Sequence, residues 1–281
     1  MTRSLNQTEP NIVWEKLPDD YILPDEPVES ILQPLLAFAL SESLDLAGLI
    51  TSVMLIASNM GLCAKINGKT VIKAPDWFFV PQVLPLSEGK IRRSYTPYTE
   101  GDLPEIVMEF LSETDAGEYS NNSTYPYGKL YYYEQILKVP FYIIFDPSLP
   151  LLEVRHLQSG TYVLLQPNQQ GRYYIPCFDL FLGVWAGTRQ QILANWLRWW
   201  DHSGNMLLWG SEEIAIAQQT LEQERQRVEL ERQRVEQERQ RAELERQRAE
   251  QERQRAELER QRASDLEAEL KRYRQQFGEL P

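Results

Sequence analysis

Apolar residues fall along this chain in three rhythms: helical spacing near the N-terminus, short strand-like runs through the middle, and a seven-residue repeat at the end. Residues 28–39 have helical spacing but contain Pro34, which predicts a short helix or two half-turns. Residues 43–60 predict a longer helix. Leu44, Leu46, Leu49, Ile50, Val53, Met54 and Ala57 form its stripe, Ser41 or Ser43 its cap and Gly61 its terminator. Asn67-Gly68 between residues 64–66 and 70–72 is a tight-hairpin signal. The second hairpin strand can continue into residues 76–80, with Pro75 marking a bend or an edge. Residues 81–104, rich in Pro and Gly, predict a long loop.

Residues 105–111 and 141–145 are apolar on both faces, as central strands are. Between them lie a polar loop over 112–125 and a helix over 126–137 that places Lys129 and Tyr133 one turn apart. Strand, helix, strand in this order predicts a parallel pair. Residues 151–157, 161–166 and 172–175 predict short antiparallel strands, 178–185 an apolar edge piece, and 190–201 a Trp-rich helix. The expectation is an α/β fold: a mixed, half-parallel sheet flanked by helices, plus a long C-terminal helix. The domain reading is an N-terminal arm and short helix over 1–40, a body over 41–210 and a charged tail over 211–281. The arm proper, residues 1–26, is rich in Pro, Asp and Glu.

The tail repeats a heptad from Val228 onward, with Val or Ala at its first position and Leu or Gln at its third. Two residues are about 200° apart on a helix, so these two rows point to nearly opposite sides. Pairs such as Glu229 with Arg232 sit at helical neighbour spacing. The expectation is a solvated helix over about 211–276 that self-associates weakly at best, with a homo-oligomer or a protein partner as its uses.

Charge narrows the classes. The net charge is -12, and positions before 211 hold fourteen basic against twenty-three acidic residues. An acidic body argues against binding nucleic acid through a broad basic surface, but not against a nuclease, because a bound cation brings its own positive charge. Cys63 and Cys177 lack metal spacing and are expected reduced. Residues 1–16 lack an apolar signal core, and the run 47–57 is too short to span a bilayer, so a soluble, cytoplasmic protein without membrane contact is expected. There is no Gly-rich phosphate loop and no nucleophile elbow, and His156 and His202 have no partner motif.

The chemistry gathers around Asp76, Glu109 and Lys129. A carboxylate inside a buried strand is costly unless it is paired or binds a metal. In one reading Asp76 and Glu109 hold Mg²⁺ or Mn²⁺ beside a scissile phosphate, and Lys129 orients the nucleophile or stabilises developing charge. In the other, Glu109 pairs with Lys129 or a tyrosine and Asp76 caps a turn. Arg92-Arg93 is the best local basic spot for a phosphate backbone, and the Tyr131-Tyr132-Tyr133 run could stack a base or fill the core.

Taken in order, Ala74-Pro75-Asp76-Trp77, Ile106-Val107-Met108-Glu109-Phe110-Leu111-Ser112, Lys129 with Tyr133, and Val139-Pro140 through Asp146-Pro147 resemble the bacterial Uma-type family of the PD-(D/E)-x-K restriction-endonuclease-like superfamily. The resemblance covers roughly 41–185. It implies a restriction-endonuclease-like core, metal-dependent cleavage of DNA phosphodiesters, Asp76 and Glu109 as metal ligands, and Lys129 as the catalytic lysine. The superfamily places its lysine two residues after the strand acid, where this chain has Leu111. The lysine must then come from the next helix, with Lys73 as a weaker candidate and Glu42 or Asp45 as a possible third acid. The alternatives are an inactive nuclease-fold scaffold acting through the tail, and a hydrolase of another phosphoester.

Overall fold

The computed structural model describes residues 11–16, 18, 30–111 and 117–278. Most of the expected N-terminal arm, and residues 112–116 of the expected polar loop, lie outside this set. The chain divides into two compact units, Met1–Glu213 and Ile214–Pro281.

In the first unit α1 (Leu32–Leu46) is one continuous helix. Pro34 falls in its first turn, where a missing N–H costs nothing. The helix expected over 43–60 does not form. Gly48 adopts φ +70°, the Leu49 N–H returns to the Leu44 carbonyl and the Gly48 N–H to that of Asp45. This left-handed closure ends α1 close to where the apolar stripe predicted a helix to begin. The Leu49, Ile50 and Met54 side chains still reach the core, but from loop backbone.

The strands form three sheets. In the first, β1 (Ile12–Val13) and β4 (Lys69–Lys73) flank β3 (Gly61–Ile66), and β6 (Ser94–Tyr95) also pairs with β3. Asn67 and Gly68, both at positive φ, make the expected hairpin turn between β3 and β4. The pairing of β1 shows that part of the N-terminal stretch read as an arm belongs to a sheet. Pro75 separates β4 from β5 (Trp77–Val80), which belongs to a different sheet.

The central sheet has six strands in the order β10-β9-β8-β7-β5-β2, with β2 at Leu55–Ala57, β7 at Ile106–Phe110, β8 at Phe141–Asp146, β9 at Leu151–Gln158 and β10 at Thr161–Leu164. As the crossover predicted, β7 and β8 run parallel; the other neighbours are antiparallel. Strand alternation divides the core. Trp77, Phe79, Ile106, Met108, Ile143 and Phe145 meet α1 and the third sheet on one face. Phe78, Val107, Tyr142 and Ile144 meet the hairpin sheet and the tyrosine-bearing helix on the other.

The third sheet is β11 (Tyr173–Ile175), β12 (Leu180–Arg189) and β13 (Ile192–Trp200) in sequential order. This corrects two expectations. The piece read as an edge, 178–185, lies in the middle strand, and the helix expected over 190–201 is a strand. Gln190 and Gln191 both take positive φ, a two-residue hairpin turn that the dipeptide does not advertise. Trp196 through Trp200 are all buried, so the alternation that marks a strand is erased there. The fold is mixed α/β, followed by a long helix, α3 (Gly210–Phe277). The first turn of α3 is held by Glu212, which accepts from Arg198 on β13 at 2.7 Å and from the Trp209 N–H at 2.8 Å. Beyond residue 213 the described side chains of α3 are exposed. No helix of the described residues is long and apolar enough to cross a membrane.

Candidate active site

Glu109 lies fourth in β7, on the face opposite Met108 and Phe110, and is 1% exposed. A carboxylate there must be satisfied. Tyr133 donates its hydroxyl to Oε1 at 2.9 Å, and Lys129 Nζ donates to Oε2 at 3.2 Å. Both donors come from one short helical segment: α2 (Lys129–Tyr131), which continues as a π-turn, Tyr132–Leu137. The widened turn buries Tyr132 and Tyr133 against the sheet.

Asp76 immediately precedes β5. The β5–β7 register, Trp77 opposite Met108, carries on to place Asp76 beside Glu109. Asp76 Oδ2 accepts from the Phe110 N–H, which fixes its carboxylate at the end of β7. Asp146, at the end of β8, serves only its own turn, where its Oδ1 caps the N–H groups of Ser148 and Leu149.

A third acid joins from an unforeseen place. Glu118, in a 3₁₀ turn at Gly117–Tyr119, is 4% exposed, and its Oε1 accepts from Lys129 Nζ at 3.2 Å. Its Oε2 is buried without a hydrogen-bond partner among the described residues. Backbone bonds hold the turn against α2: Leu130 N–H to the Ser120 carbonyl at 3.1 Å and Gly128 N–H to that of Asn122 at 2.9 Å. The approach is so close that a Cβ on Gly128 would lie 2.1 Å from the Ser120 carbonyl oxygen. Only glycine allows the loop to bring Glu118 to Lys129.

Electrostatics follow from this packing. Burial pushes the Glu109 carboxyl up to about 8, and the neighbouring Asp76 and Glu118 charges add to the rise, while Lys129 and the Tyr133 hydrogen bond oppose it. Burial works against the Lys129 ammonium, but Glu109 and Glu118 outweigh it and hold the pKa above its ordinary value. Lys129 is therefore a fixed positive charge at neutral pH. Tyr133 and Tyr142 are raised well above the ordinary tyrosine value, first by burial and then by Glu109.

The structure thus brings Asp76, Glu109 and Lys129 together and adds Glu118. It assigns several other candidates elsewhere. Glu42 accepts from Arg189 at 2.8 Å, and Asp45 is exposed at the end of α1, so neither supplies the third acid. Lys73, by contrast, ends β4 only three residues before Asp76 and keeps its place as a candidate. Arg92 is not a free phosphate contact: it is spent inside the 81–104 loop, on Glu100 at 2.6 Å and the Leu84 carbonyl at 2.8 Å. Tyr132 bonds the Leu62 carbonyl and belongs to the core, while Tyr131 stacks on Tyr127. His156 stacks on Phe141, and His202 meets Asp179 at the surface. Both cysteines are free, Cys63 buried and Cys177 exposed.

The donor set suits a hard cation. Two carboxylates face one another across β5 and β7 with raised mutual repulsion, which is the ordinary protein share of a Mg²⁺ site, the rest being water and substrate phosphate. Among the described residues no three His, Cys, Asp or Glu side chains form a complete metal cage.

An acid pair and a lysine thus gather at the junction of β5 with the parallel strands β7 and β8 of a mixed α/β domain. The family described as "Uma2: Putative restriction endonuclease" matches residues 29–188, more than half of the chain, and the chain belongs to that family. No curated protein matches it.

Proposed function

We propose that the protein is a metal-dependent endonuclease acting on DNA phosphodiesters. The observation that carries this reading is the buried Glu109, in register beside Asp76 and bonded to Lys129, in a chain of this family. Asp76 and Glu109 would hold Mg²⁺ or Mn²⁺, which when bound supplies Lewis-acid stabilisation and lowers the pKa of a water. The rest is the work of the chain. Tyr133 and Lys129 fix both oxygens of Glu109, and the Phe110 N–H fixes Asp76, so the two acids are held before any ligand arrives. Lys129, held between Glu109 and Glu118, offers a permanent positive charge to the negative charge that develops on a phosphate. It takes the place of the lysine missing at Leu111.

A second reading has its own support. Lys129 is already engaged by two buried acids, which also suits a nuclease-fold scaffold that no longer cleaves. Nicking of supercoiled plasmid separates the two. The endonuclease reading expects nicking with Mg²⁺ or Mn²⁺ that stops with chelator and in Asp76→Ala and Lys129→Ala. Absence of cleavage of plasmid, linear duplex and single strands under all of these conditions would favour the scaffold.

A further inference from the structure

Helix α3 carries a row of apolar side chains that the candidate site does not use. Every seventh residue from Ile214 to Leu270 is Ile, Leu, Val or Ala. The larger members are open to solvent: Leu221 is 54% exposed, Val235 57% and Leu270 55%. On a straight helix such a row drifts by about 20° per repeat, or about 160° over its length. A left-handed supercoil around a partner keeps it on one line, so the strict sevenfold spacing is the mark of a partner helix.

The columns beside the row say which partner. Three residues after each row member stands Glu, without a break from Glu224 to Glu259; four residues after stands Arg, from Arg225 to Arg260. In a supercoil of 3.5 residues per turn these columns lie about 50° to either side of the row. The Arg column forms no ion pair among the described residues; the pair recorded along this stretch, Glu224 with Arg227, is long at 3.9 Å. At the ends the Glu column gives way to Ala217 and to Leu266 and Tyr273, which completes an apolar seam of three-and-four spacing there. The Leu230 row lies on the far side and takes no part.

We infer that a second copy of this chain docks on this row, with the two α3 helices parallel and in register. A two-fold axis along the rod lays the Arg column of one helix against the Glu column of the other on both sides of the seam. Reversing one helix lays Arg against Arg and Glu against Glu, and like charges in contact are repelled. Register follows from the side chains: Ile, Leu and Val layers meet themselves toward the ends, and the Ala layers from Ala242 to Ala263 let the middle approach closely. The pairing tethers both copies of the Met1–Glu213 unit by the same end, which raises the concentration of one unit at the other.

Sedimentation of the full chain together with disulfide trapping tests this. In a Cys177→Ser background, Leu221→Cys and Leu270→Cys are made separately; both sites are exposed helix positions that tolerate the change. The expected result is a particle of twice 32.9 kDa at micromolar concentration and rapid self-crosslinking of each variant on mild oxidation. Gln247→Cys, on the opposite face, should not crosslink. A monomer throughout the micromolar range overturns the inference. So does a dimer in which neither variant joins to itself and Leu270→Cys joins instead to Ile214→Cys when the two are mixed, since that pairing is antiparallel.

Discussion

Replacing Glu109 by Gln should make the metal-free protein more stable at neutral pH, although Glu109 is the most buried acid of the candidate site. Its carboxyl titrates at about 8 in the fold, against an ordinary 4.5. Between those values the folded chain holds a proton that the unfolded chain has released. The stability contribution is complete below pH 4.5 and is lost as pH rises through the window, at about 1.4 kcal/mol per pH unit. The loss is about 3 kcal/mol at pH 7 and about 4 kcal/mol by pH 8. Gln has the shape of the neutral carboxyl, can accept from Lys129 while donating its amide to the Tyr133 hydroxyl oxygen, and has no proton to lose. Lys129 is charged in both folded and unfolded chains across this range, and so adds no slope of its own. The assay is urea denaturation with chelator present, wild type beside Glu109→Gln, at pH 5, 6, 7 and 8. The difference between the two should grow by about 1.4 kcal/mol per unit in favour of the variant up to pH 7, and by less beyond it. Parallel pH profiles would refute the reasoning, because Glu109 would then be charged in the fold at all four pH values.

Three further outcomes follow from the packing. Lys129→Met strands Glu118 beside Glu109 without a cation and should cost about 3 kcal/mol in the same assay; Glu118→Gln in the same chain should recover most of that, and additive losses would show that the two residues are not coupled. Gly128→Ala drives a Cβ into the Ser120 carbonyl and should cost at least about 2 kcal/mol, with Lys129 and Glu118 pulled apart; a melting temperature equal to wild type would contradict the close approach. Trp209→Ala removes a buried indole stacked under the Arg198 guanidinium at 3.5 Å and should lower stability by about 3–5 kcal/mol, read by far-ultraviolet circular dichroism in urea.

The parts of this molecule that could be read ahead of the structure are those where local signals and burial agree. Strands β7, apolar but for Glu109, and β8 have a helix between them, and the Asn67-Gly68 turn has one sensible conformation. Where the two disagree, the sequence misleads. Gly48 stands inside the apolar stripe that predicts a helix over 43–60, yet its left-handed backbone ends α1 and leaves Leu49, Ile50 and Met54 to pack from a loop. Strand β13 buries both faces at Trp196–Trp200, so its apolar positions mimic helical spacing, and Gln190-Gln191 gives no turn signal. The candidate site divides in the same way. The meeting of Asp76, Glu109 and Lys129 was legible because they lie in or beside strands and a helix with clear periodicity. Glu118 was not: it lies eleven positions before Lys129 in a polar stretch, and its part depends on a backbone approach that only Gly128 permits. That glycine beside the lysine was the one available signal.

On the proposed reading, Asp76 and Glu109 are the protein's share of a divalent cation site. Calorimetric titration of the metal-free protein with Mn²⁺, at pH 6 and 7 in buffers of different ionisation heat, tests it most directly. The expected result is one Mn²⁺ per chain, with release of about one proton, because Glu109 must give up the proton that burial makes it hold. Binding should vanish in Asp76→Asn and in Glu109→Gln while both variants remain folded. Wild-type affinity in Glu109→Gln, or binding without proton release at pH 6, would contradict it.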